Sequence, residues 1–289
     1  MDALSAPPTA PREPTMPAIA RVACYMGGCV LASALWGASL FALFRPGLDI
    51  LTTPARYPWP YNLYVVGSYL ILMGGALLAW RRWEGEPLRG LGIAPRRMGR
   101  AVITGALWGL GSLGLLFALE LALGWVSFDA QAASHIDASA VALAAVMALG
   151  FSFSEEFLFR GYVLRTLRRG HSAPWAVGLS ALLFTTVHFL RFDVAFGTVV
   201  LPFTGLLLAG VLLGWLALET RTIWTSAGLH SAWVFLFLLA DRSKAIVYPA
   251  NFNLLTGGGY PIGGLTGIAL VLALAAAMWG TRGGLTRPE

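Results

Sequence analysis

The sequence predicts an all-α, polytopic membrane protein with about eight transmembrane helices around a buried polar cavity. Of its 289 residues, 57% are hydrophobic and only 12% are charged, whereas a soluble domain carries about 25% charged residues. The mean hydropathy is +0.70. The apolar residues occur in runs of about 20, the length of a membrane-spanning helix. The alternating segments of roughly ten residues that mark a membrane β-barrel are absent from the sequence.

These runs divide the chain into two tails and one transmembrane domain. Residues 1–18 contain five prolines and no apolar periodicity, so we expect a disordered N-terminal tail. The transmembrane domain is expected over 19–280, and a C-terminal tail over 281–289. The expected spans are 19–44, 62–80, 101–125, 139–160, 174–191, 197–218, 222–240 and 262–280.

Arginines set the expected orientation. The net charge of +6 comes almost wholly from arginines at the ends of apolar runs, where topology and anionic lipid headgroups explain them better than nucleic acid does. Basic residues crowd the loop between spans two and three and the segment after span four, whereas segment 127–137 has none. The positive-inside rule therefore predicts that the basic loops and both termini are cytoplasmic, in the inner (cytoplasmic) membrane of a cell. Arg242 and Lys244, before the last span, argue against this orientation.

Two adjacent glutamates, Glu155 and Glu156, fall inside the fourth span, in the stretch FSFSEEFLFRGYVL. An acid near the centre of a membrane helix costs about 2.5–3.5 kcal/mol on insertion scales, so such residues are functional candidates. Glu156 and Arg160 are spaced i, i+4 and can neutralise each other, which accounts for these two residues but not for Glu155. These residues alone leave a structural ion pair and a functional site equally open.

Other candidate residues carry less weight. Glu120, in the third span, has no motif neighbour and is expected to pack or to end a helix. Cys24 and Cys29 have neither the spacing nor the partners of a metal or disulfide site.

Two of the four histidines, His188 and His230, also fall in spans. Imidazoles and carboxylates cluster in membranes where water must be handled, so together with the glutamates they favour a site. One chemistry is a glutamate base acting on water, with histidines assisting at the oxyanion or the leaving amine. A second is a zinc site formed by Glu155, His188 and His230, although no H-E-x-x-H motif is present. A third is a proton relay in a transporter.

Helix geometry limits how these residues can meet. Adjacent residues on a helix point about 100° apart, so one glutamate is expected to face the cavity while the other braces Arg160. Counted from Pro174, His188 lies about 21 Å along its helix at 1.5 Å per residue. The expected spans therefore leave the depth of His188 relative to Glu155 open, since tilt or a later start of the helix would bring the two residues level. No serine nucleophile is indicated, because the sequence has no G-x-S-x-G motif. No cofactor is expected, and no phosphate-binding loop is present in the sequence.

Three motifs resemble those of a known family. The stretch E-E-F-L-F-R-G-Y (155–162) resembles the motif E-E-x-x-x-R of the CPBP family, which includes CAAX prenyl endopeptidases, Abi-type bacteriocin-processing and immunity proteins, and related glutamic intramembrane proteases. F-T-T-V-H (184–188), which begins with Phe184, resembles the second motif, F-x-x-x-H. L-H-S-A-W-V (229–234) resembles the third, a histidine followed four residues later by a polar residue. The resemblance is close over about 139–240.

The resemblance implies an intramembrane glutamic-type endopeptidase that hydrolyses a peptide bond in a membrane-associated or lipid-anchored protein. In this family pattern Glu155 would activate the water, assisted by Glu156 and His188. His230 would help to hold the oxyanion, and Arg160 would orient the glutamates. The implied partners are a membrane protein or lipid-modified peptide and the lipid bilayer, with no nucleic acid. The oligomeric state is not indicated.

One position departs from the family pattern. The residue four after the last histidine is Val234, which cannot donate a hydrogen bond. Removing one oxyanion donor typically lowers the rate by about 10²–10³, so an active enzyme needs a substitute, for which Trp233 Nε1, Ser231, Asn251 and Asn253 are the candidates. The departure also supports an alternative function, that of a non-catalytic CPBP-type membrane protein for bacteriocin immunity or scaffolding.

Overall fold

The computed structural model describes residues 16–45, 56–95, 98–189, 196–249, 253–260 and 262–280. It confirms the prediction of an all-α, polytopic membrane protein. The α-helices of the described residues are α1 Ala18–Phe44, α2 Pro58–Ala79, α3 Met98–Ala122, α4 Ala130–Ser134, α5 Ala138–Glu156, α6 Leu164–Arg168, α7 Ala173–His188, α8 Phe196–Glu219, α9 Trp224–Ser243 and α10 Leu265–Gly280. Two short strands, β1 Ser127–Phe128 and β2 Ile246–Val247, pair antiparallel. Most of the residues predicted to form the two tails, 1–15 and 281–289, lie outside the described residues.

Five helices among the described residues are long and apolar enough to cross a membrane. They contain α1, α2, α3, α5 and α8. α7 and α10 are apolar but have only 16 residues each, and α9 meets neither description. The number of crossings, predicted as eight, therefore stays a prediction.

The fourth span is longer than the sequence predicted. α5 continues without a break through a π-helical segment, Phe157–Val163, into α6. The continuous helix Ala138–Arg168 has 31 residues, whereas the predicted span was 139–160. The extension carries the chain about 12 Å beyond residue 160 at 1.5 Å per residue.

The contacts group the chain into two compact units, Met1–Gly90 and Leu91–Glu289. In the first unit, α1 and the end of the second span are joined by a buried ion pair, in which Arg21 Nε lies 2.8 Å from Glu84 Oε1. Tyr25 also donates a hydrogen bond from α1 to the Leu72 carbonyl of α2. The predicted single membrane domain stays a prediction.

In the second unit, α3 and α9 run side by side in the same direction, in backbone contact through glycines. A methyl group at Gly105 would overlap the Thr225 carbonyl, and one at Gly228 would overlap the Val102 carbonyl. Further along, Trp233 Nε1 on α9 donates a hydrogen bond to Ser112 Oγ on α3. The absence of side chains at the glycines therefore lets α9, which carries His230, lie directly on α3.

An apolar core joins this helix pair to α8 and α10. Its members are buried and apolar and include Leu113, Leu213, Leu229, Trp233 and Met278. Because lipid is as apolar as these side chains, the core is stabilised by van der Waals packing between the helices rather than by removal of the side chains from water.

The loops that follow α3 and α9 meet at one end of the second unit. β1 pairs with β2 in the register Ser127↔Val247, so the arginine-free segment lies at the same end as Lys244. Lys244 Nζ pairs with Asp241 Oδ1 at 2.6 Å, but the positive-inside rule counts lysines and arginines rather than net charge, so Arg242 and Lys244 still argue against the predicted orientation. That orientation stays a prediction. At the same end Glu120 is buried and accepts a hydrogen bond from Thr266 Oγ1 at 2.8 Å, in keeping with the packing role expected for it.

Candidate active site

The two glutamates lie at the junction between α5 and the π-helical segment. Glu156 is the last residue of α5, and Phe157–Val163 follows with the wider turn, as shown by the Leu164 amide that donates to the carbonyl of Phe159 five residues earlier. π-Helical turns are rare and occur frequently at functional sites. The junction is therefore the first structural sign of a site here.

Glu156 is the structural member of the pair. Its side chain is fully buried, and its Oε1 accepts hydrogen bonds from Arg160 Nη1 at 2.8 Å and from His230 Nδ1 at 3.0 Å. Arg160 is equally buried and donates its other bond, from Nη2, to the Gly210 carbonyl on α8 at 3.2 Å. A buried carboxylate is stable only when paired and hydrogen-bonded. Oε1 of Glu156 meets that condition through Arg160 and His230, whereas its Oε2 is buried without a hydrogen-bond partner among the described residues.

Glu155 faces in another direction, as the 100° step between adjacent helical residues requires. Its Oε2 lies 3.7 Å from Nε2 of His188 and 3.7 Å from Nε2 of His230. The Glu155 side chain is 16% exposed and that of His188 is 35% exposed, whereas that of His230 is 10% exposed. The structure thus brings the two glutamates and the two histidines of the sequence prediction together, with Glu155 and His188 on the open side.

The hydrogen bonds at the histidine Nδ1 atoms decide which nitrogens face Glu155. His188 Nδ1 lies 2.8 Å from the Phe184 carbonyl, which only accepts, so this nitrogen carries a proton. His230 Nδ1 carries one as well, because its partner is the Glu156 carboxylate, which also accepts from Arg160. In a neutral imidazole with Nδ1 protonated, Nε2 holds a lone pair. Glu155 therefore faces two proton acceptors.

Phe184 packs in the middle of this cluster. Its ring centroid lies 4.6 Å from that of His188 and 6.0 Å from that of His230, and Arg160 Cζ lies 4.4 Å from the same centroid on the ring face. A cation over an aromatic face is attracted by the ring quadrupole. Phe184 therefore places the histidines and the guanidinium around one apolar surface, which accounts for a phenylalanine at the start of the second motif.

The substitutes considered for Val234 are placed differently. Trp233 Nε1 donates to Ser112 Oγ at 3.0 Å, so this N–H is engaged and Trp233 supports the site by packing between α9 and α3. Asn253 uses its side-chain oxygen to accept from the Leu255 amide in the loop before α10. Asn251 lies outside the described residues.

Among the described residues, no group of three or more His, Cys, Asp or Glu side chains has the arrangement of a metal site. Cys24 and Cys29 are both free. The alternative in which Glu155, His188 and His230 bind zinc stays a prediction, which the effect of chelators on activity tests.

Two partners in the site were missed by the sequence analysis. The Gly210 carbonyl binds Arg160, and the Phe184 carbonyl binds His188. Both are backbone groups, so no side-chain pattern could have revealed them. The glycine at 210 is a weak signal, since a Cβ there would lie only 3.1 Å from that of Ala181.

Comparison with known proteins adds one finding. Residues 137–236 match a protein-family profile described as type II CAAX prenyl endopeptidase, Rce1-like. The matched segment covers about a third of the chain and contains all four glutamate and histidine residues of the site. It confirms the predicted resemblance. No curated protein and no solved structure matches the chain.

Proposed function

Residues 137–236 belong to the Rce1-like family of type II CAAX prenyl endopeptidases, and we propose that the chain is an intramembrane peptidase in which Glu155 is the general base. One observation carries the proposal, the position of Glu155 Oε2 at 3.7 Å from Nε2 of both His188 and His230. A carboxylate between two imidazoles, inside an apolar bundle, is an arrangement that can accept and return protons.

The reaction follows from these positions. Glu155 takes a proton from a water molecule as the water oxygen bonds to the carbonyl carbon of the scissile peptide. The π electrons of the carbonyl move to its oxygen and form an oxyanion. When the oxyanion collapses, the C–N bond breaks and the proton held by the cluster passes to the leaving nitrogen, which gives a carboxylic acid and an amine. Because the site is largely shielded from bulk water, electrostatic interactions within it are stronger than in solution.

The other residues of the cluster hold this geometry. Glu156 receives the Nδ1 proton of His230 and so directs Nε2 towards Glu155. Arg160 balances the charge of Glu156 through its 2.8 Å ion pair. His188 takes part in the proton exchange from the exposed side, since its Nδ1 is fixed by the Phe184 carbonyl.

The proposed substrate is a membrane-associated or lipid-anchored protein, cut in the cytoplasmic half of the membrane. Glu155 lies 13 residues before the end of α6 at Arg168, about 20 Å at 1.5 Å per residue. Arg168 and Arg169 mark that end as cytoplasmic under the positive-inside rule. This location suits a substrate whose lipid-bearing end lies in the inner leaflet.

A second candidate function is a non-catalytic membrane protein of the same family, acting in bacteriocin immunity or as a scaffold. It is favoured by Val234, which offers no hydrogen bond on α9, and by the engagement of the Trp233 N–H with Ser112. A fold by itself does not fix a function.

The deciding experiment uses the purified full-length chain in lipid nanodiscs and a quenched-fluorescent peptide ending in a farnesylated cysteine and three further residues. The wild type should cleave this peptide, and Glu155→Gln should lower kcat by about 10²–10⁴, the usual contribution of a general base. Glu120→Gln is the matched control, because Glu120 is also a buried membrane glutamate but lies outside the cluster. A Glu155→Gln variant that cleaves at the wild-type rate would exclude the peptidase mechanism. For the second candidate, Glu155→Gln should protect cells as well as the wild type does.

A further inference from the structure

The proposed hydrolysis needs a hydrogen-bond donor for the oxyanion, and most donors near Glu155 are already engaged. Both histidines use their Nδ1–H groups elsewhere, so as neutral imidazoles they offer no further donor. Arg160 is committed to Glu156 and to the Gly210 carbonyl. Before it takes a proton from water, the site therefore has no free oxyanion donor among the residues expected from the motifs, and the proton that it then takes is the one passed on to the leaving nitrogen.

The neighbouring hydroxyl groups are engaged as well. Ser154 donates to the Gly150 carbonyl, Ser180 to the Phe159 carbonyl, and Thr185 to the Ala181 carbonyl. Such bonds to backbone carbonyls are the usual way in which helical serine and threonine hydroxyls are satisfied.

Ser152 is the exception. It is fully buried, and its hydroxyl has no hydrogen-bond partner among the described residues. A buried polar group without a partner is destabilising, so its presence calls for a ligand or a role. Buried hydroxyls in the same condition are found elsewhere in the described chain, as at Thr166 and Thr256, but neither lies within a helical turn of Glu155.

The helix places Ser152 beside both glutamates. Glu155 follows it by three residues and Glu156 by four, which corresponds to angular offsets of about −60° and +40° and to axial rises of about 4.5 and 6 Å. Side chains on an α-helix lean towards its N-terminus, so the two carboxylates lean towards the turn that carries Ser152. The hydroxyl therefore lies between the directions of the two glutamates, somewhat nearer to that of Glu156.

Two contacts between α5 and α9 indicate the approximate level of this hydroxyl along α9. Glu156 contacts His230, and further back along α5 Met147 Sδ contacts Arg242 Nη2 at 3.2 Å. From the first contact to the second, the residue number decreases on α5 and increases on α9, so the two helices are antiparallel. Four residues before Glu156 is Ser152, and four residues after His230 is Val234. The hydrogen-bonding group at this level thus belongs to α5 rather than to α9.

We propose that Ser152 is a further catalytic residue, whose Oγ–H donates a hydrogen bond to the oxyanion formed at the scissile carbonyl. The inference rests on the proposed peptidase function. Ser152 forms no covalent bond and keeps its proton throughout. The water, the proton exchange and the leaving group remain with Glu155 and the histidines.

The test compares variants in the nanodisc assay with the farnesylated peptide. Ser152→Ala should lower kcat by about 10²–10³, the effect of removing one oxyanion donor, with KM unchanged. Its melting temperature should be equal to or above that of the wild type, because the change removes an unpaired buried hydroxyl. Ser154→Ala, which removes a hydroxyl two residues away that is satisfied by Gly150, is the matched control and should keep the wild-type kcat.

A second variant separates catalysis from support of the fold. Val234→Asn introduces an amide donor on α9 opposite position 152, so the double variant Ser152→Ala/Val234→Asn should regain at least tenfold of the lost kcat. A loss of kcat accompanied by a lower melting temperature, without recovery in the double variant, would assign Ser152 to support of Glu156 and overturn the inference.

The outcomes also separate this inference from the peptidase proposal. If the wild type cleaves, Glu155→Gln is inactive and Ser152→Ala keeps full kcat, the role of Ser152 is excluded while the peptidase function stands. If the wild type itself does not cleave but protects cells, both are excluded.

Discussion

His230 donates its Nδ1 proton to Glu156 Oε1 over 3.0 Å, so the glutamate that does not face the cavity sets the orientation of the histidine that does. The same oxygen accepts from Arg160. One buried carboxylate thus connects the guanidinium on the π-helical segment to the imidazole on α9. This arrangement gives the second glutamate of the motif a role distinct from that of Glu155.

The Glu156–Arg160 pair should be a major stabilising element. Glu156→Gln leaves the buried guanidinium of Arg160 without a counter-charge, and loss of one partner of a buried pair costs about 3–5 kcal/mol. Denaturant or thermal unfolding of the purified protein in detergent measures the loss. Asp241→Asn is the control, since the exposed Asp241–Lys244 pair should contribute no more than about 1 kcal/mol. Equal stabilities for the two variants would contradict the assignment.

The close packing of α3 on α9 predicts a position-specific effect of added methyl groups. Gly105→Ala places a methyl group against the Thr225 carbonyl and should destabilise the protein by about 1–3 kcal/mol, as overpacking does. Because α9 carries His230, kcat should fall as well. Gly111→Ala on the same helix meets nothing within 4 Å and should leave both properties at wild-type values. If Gly105→Ala is as stable as Gly111→Ala, the two helices do not pack as closely as described.

The hydrogen bonds of Asp137 at the N-terminus of α5 should make a contribution to the stability of the protein that is lost in acid. The amide of Ala140 donates to Asp137 Oδ1 at 2.8 Å, and this bond, with that from Ser139, lowers the pKa of the carboxyl. A group whose pKa is lowered in the folded state stabilises it above the unfolded-state pKa, and this contribution is lost as the pH falls through the folded-state pKa. The difference in melting temperature between wild type and Asp137→Ala should therefore be constant near neutral pH and shrink below about pH 4. The difference in melting temperature between Asp137→Asn and Asp137→Ala should not depend on pH in this range, because asparagine does not titrate. If the difference between wild type and Asp137→Ala stays unchanged down to acid pH, the stabilising role of the Asp137 carboxylate is refuted.

Activity should be independent of added chelators. In the proposed reaction Glu155 activates the water directly, so EDTA and phenanthroline should leave the cleavage rate of the farnesylated peptide unchanged. Loss of activity that added zinc restores would instead make Glu155, His188 and His230 metal ligands, because zinc in catalytic sites takes three such protein ligands and a water. Metal analysis of the purified protein provides a second measurement.

The membrane fold and the site residues could be predicted from the sequence because each has a strong local signal. Long apolar runs leave few alternatives to helices, and acids or histidines within such runs stand out by their cost. The depth of His188 was not predictable in the same way. The structure places His188 near Glu155 because the preceding helix runs on to Arg168, so both residues lie about 20 Å from the turn that joins their helices. Apolarity fades near the membrane surface while the helix continues, so composition cannot locate its end.

The hydrogen-bond partners of the site residues could not be predicted from the sequence either. Trp233 was a plausible donor until its N–H was found on Ser112, a residue 121 positions away in the chain. The Gly210 carbonyl could not be predicted for a related reason. Every residue has a backbone carbonyl, and only the packing of α8 determines which of them accepts the hydrogen bond of Arg160. Ser152 has a sequence signal only after the register between α5 and α9 is known.

The π-helical segment Phe157–Val163 also has a consequence for how this sequence can vary in evolution. A wider turn accommodates one extra residue while the helix on either side keeps its direction. Deletion of a single residue after Arg160 would therefore convert the segment to ordinary α-helix and leave both the glutamate pair and Arg165, which packs against Gly92, facing as they do now. Related sequences should keep Arg160 four residues after Glu156, whose carboxylate it pairs with, and can differ in length by one residue between Arg160 and the basic end of the helix.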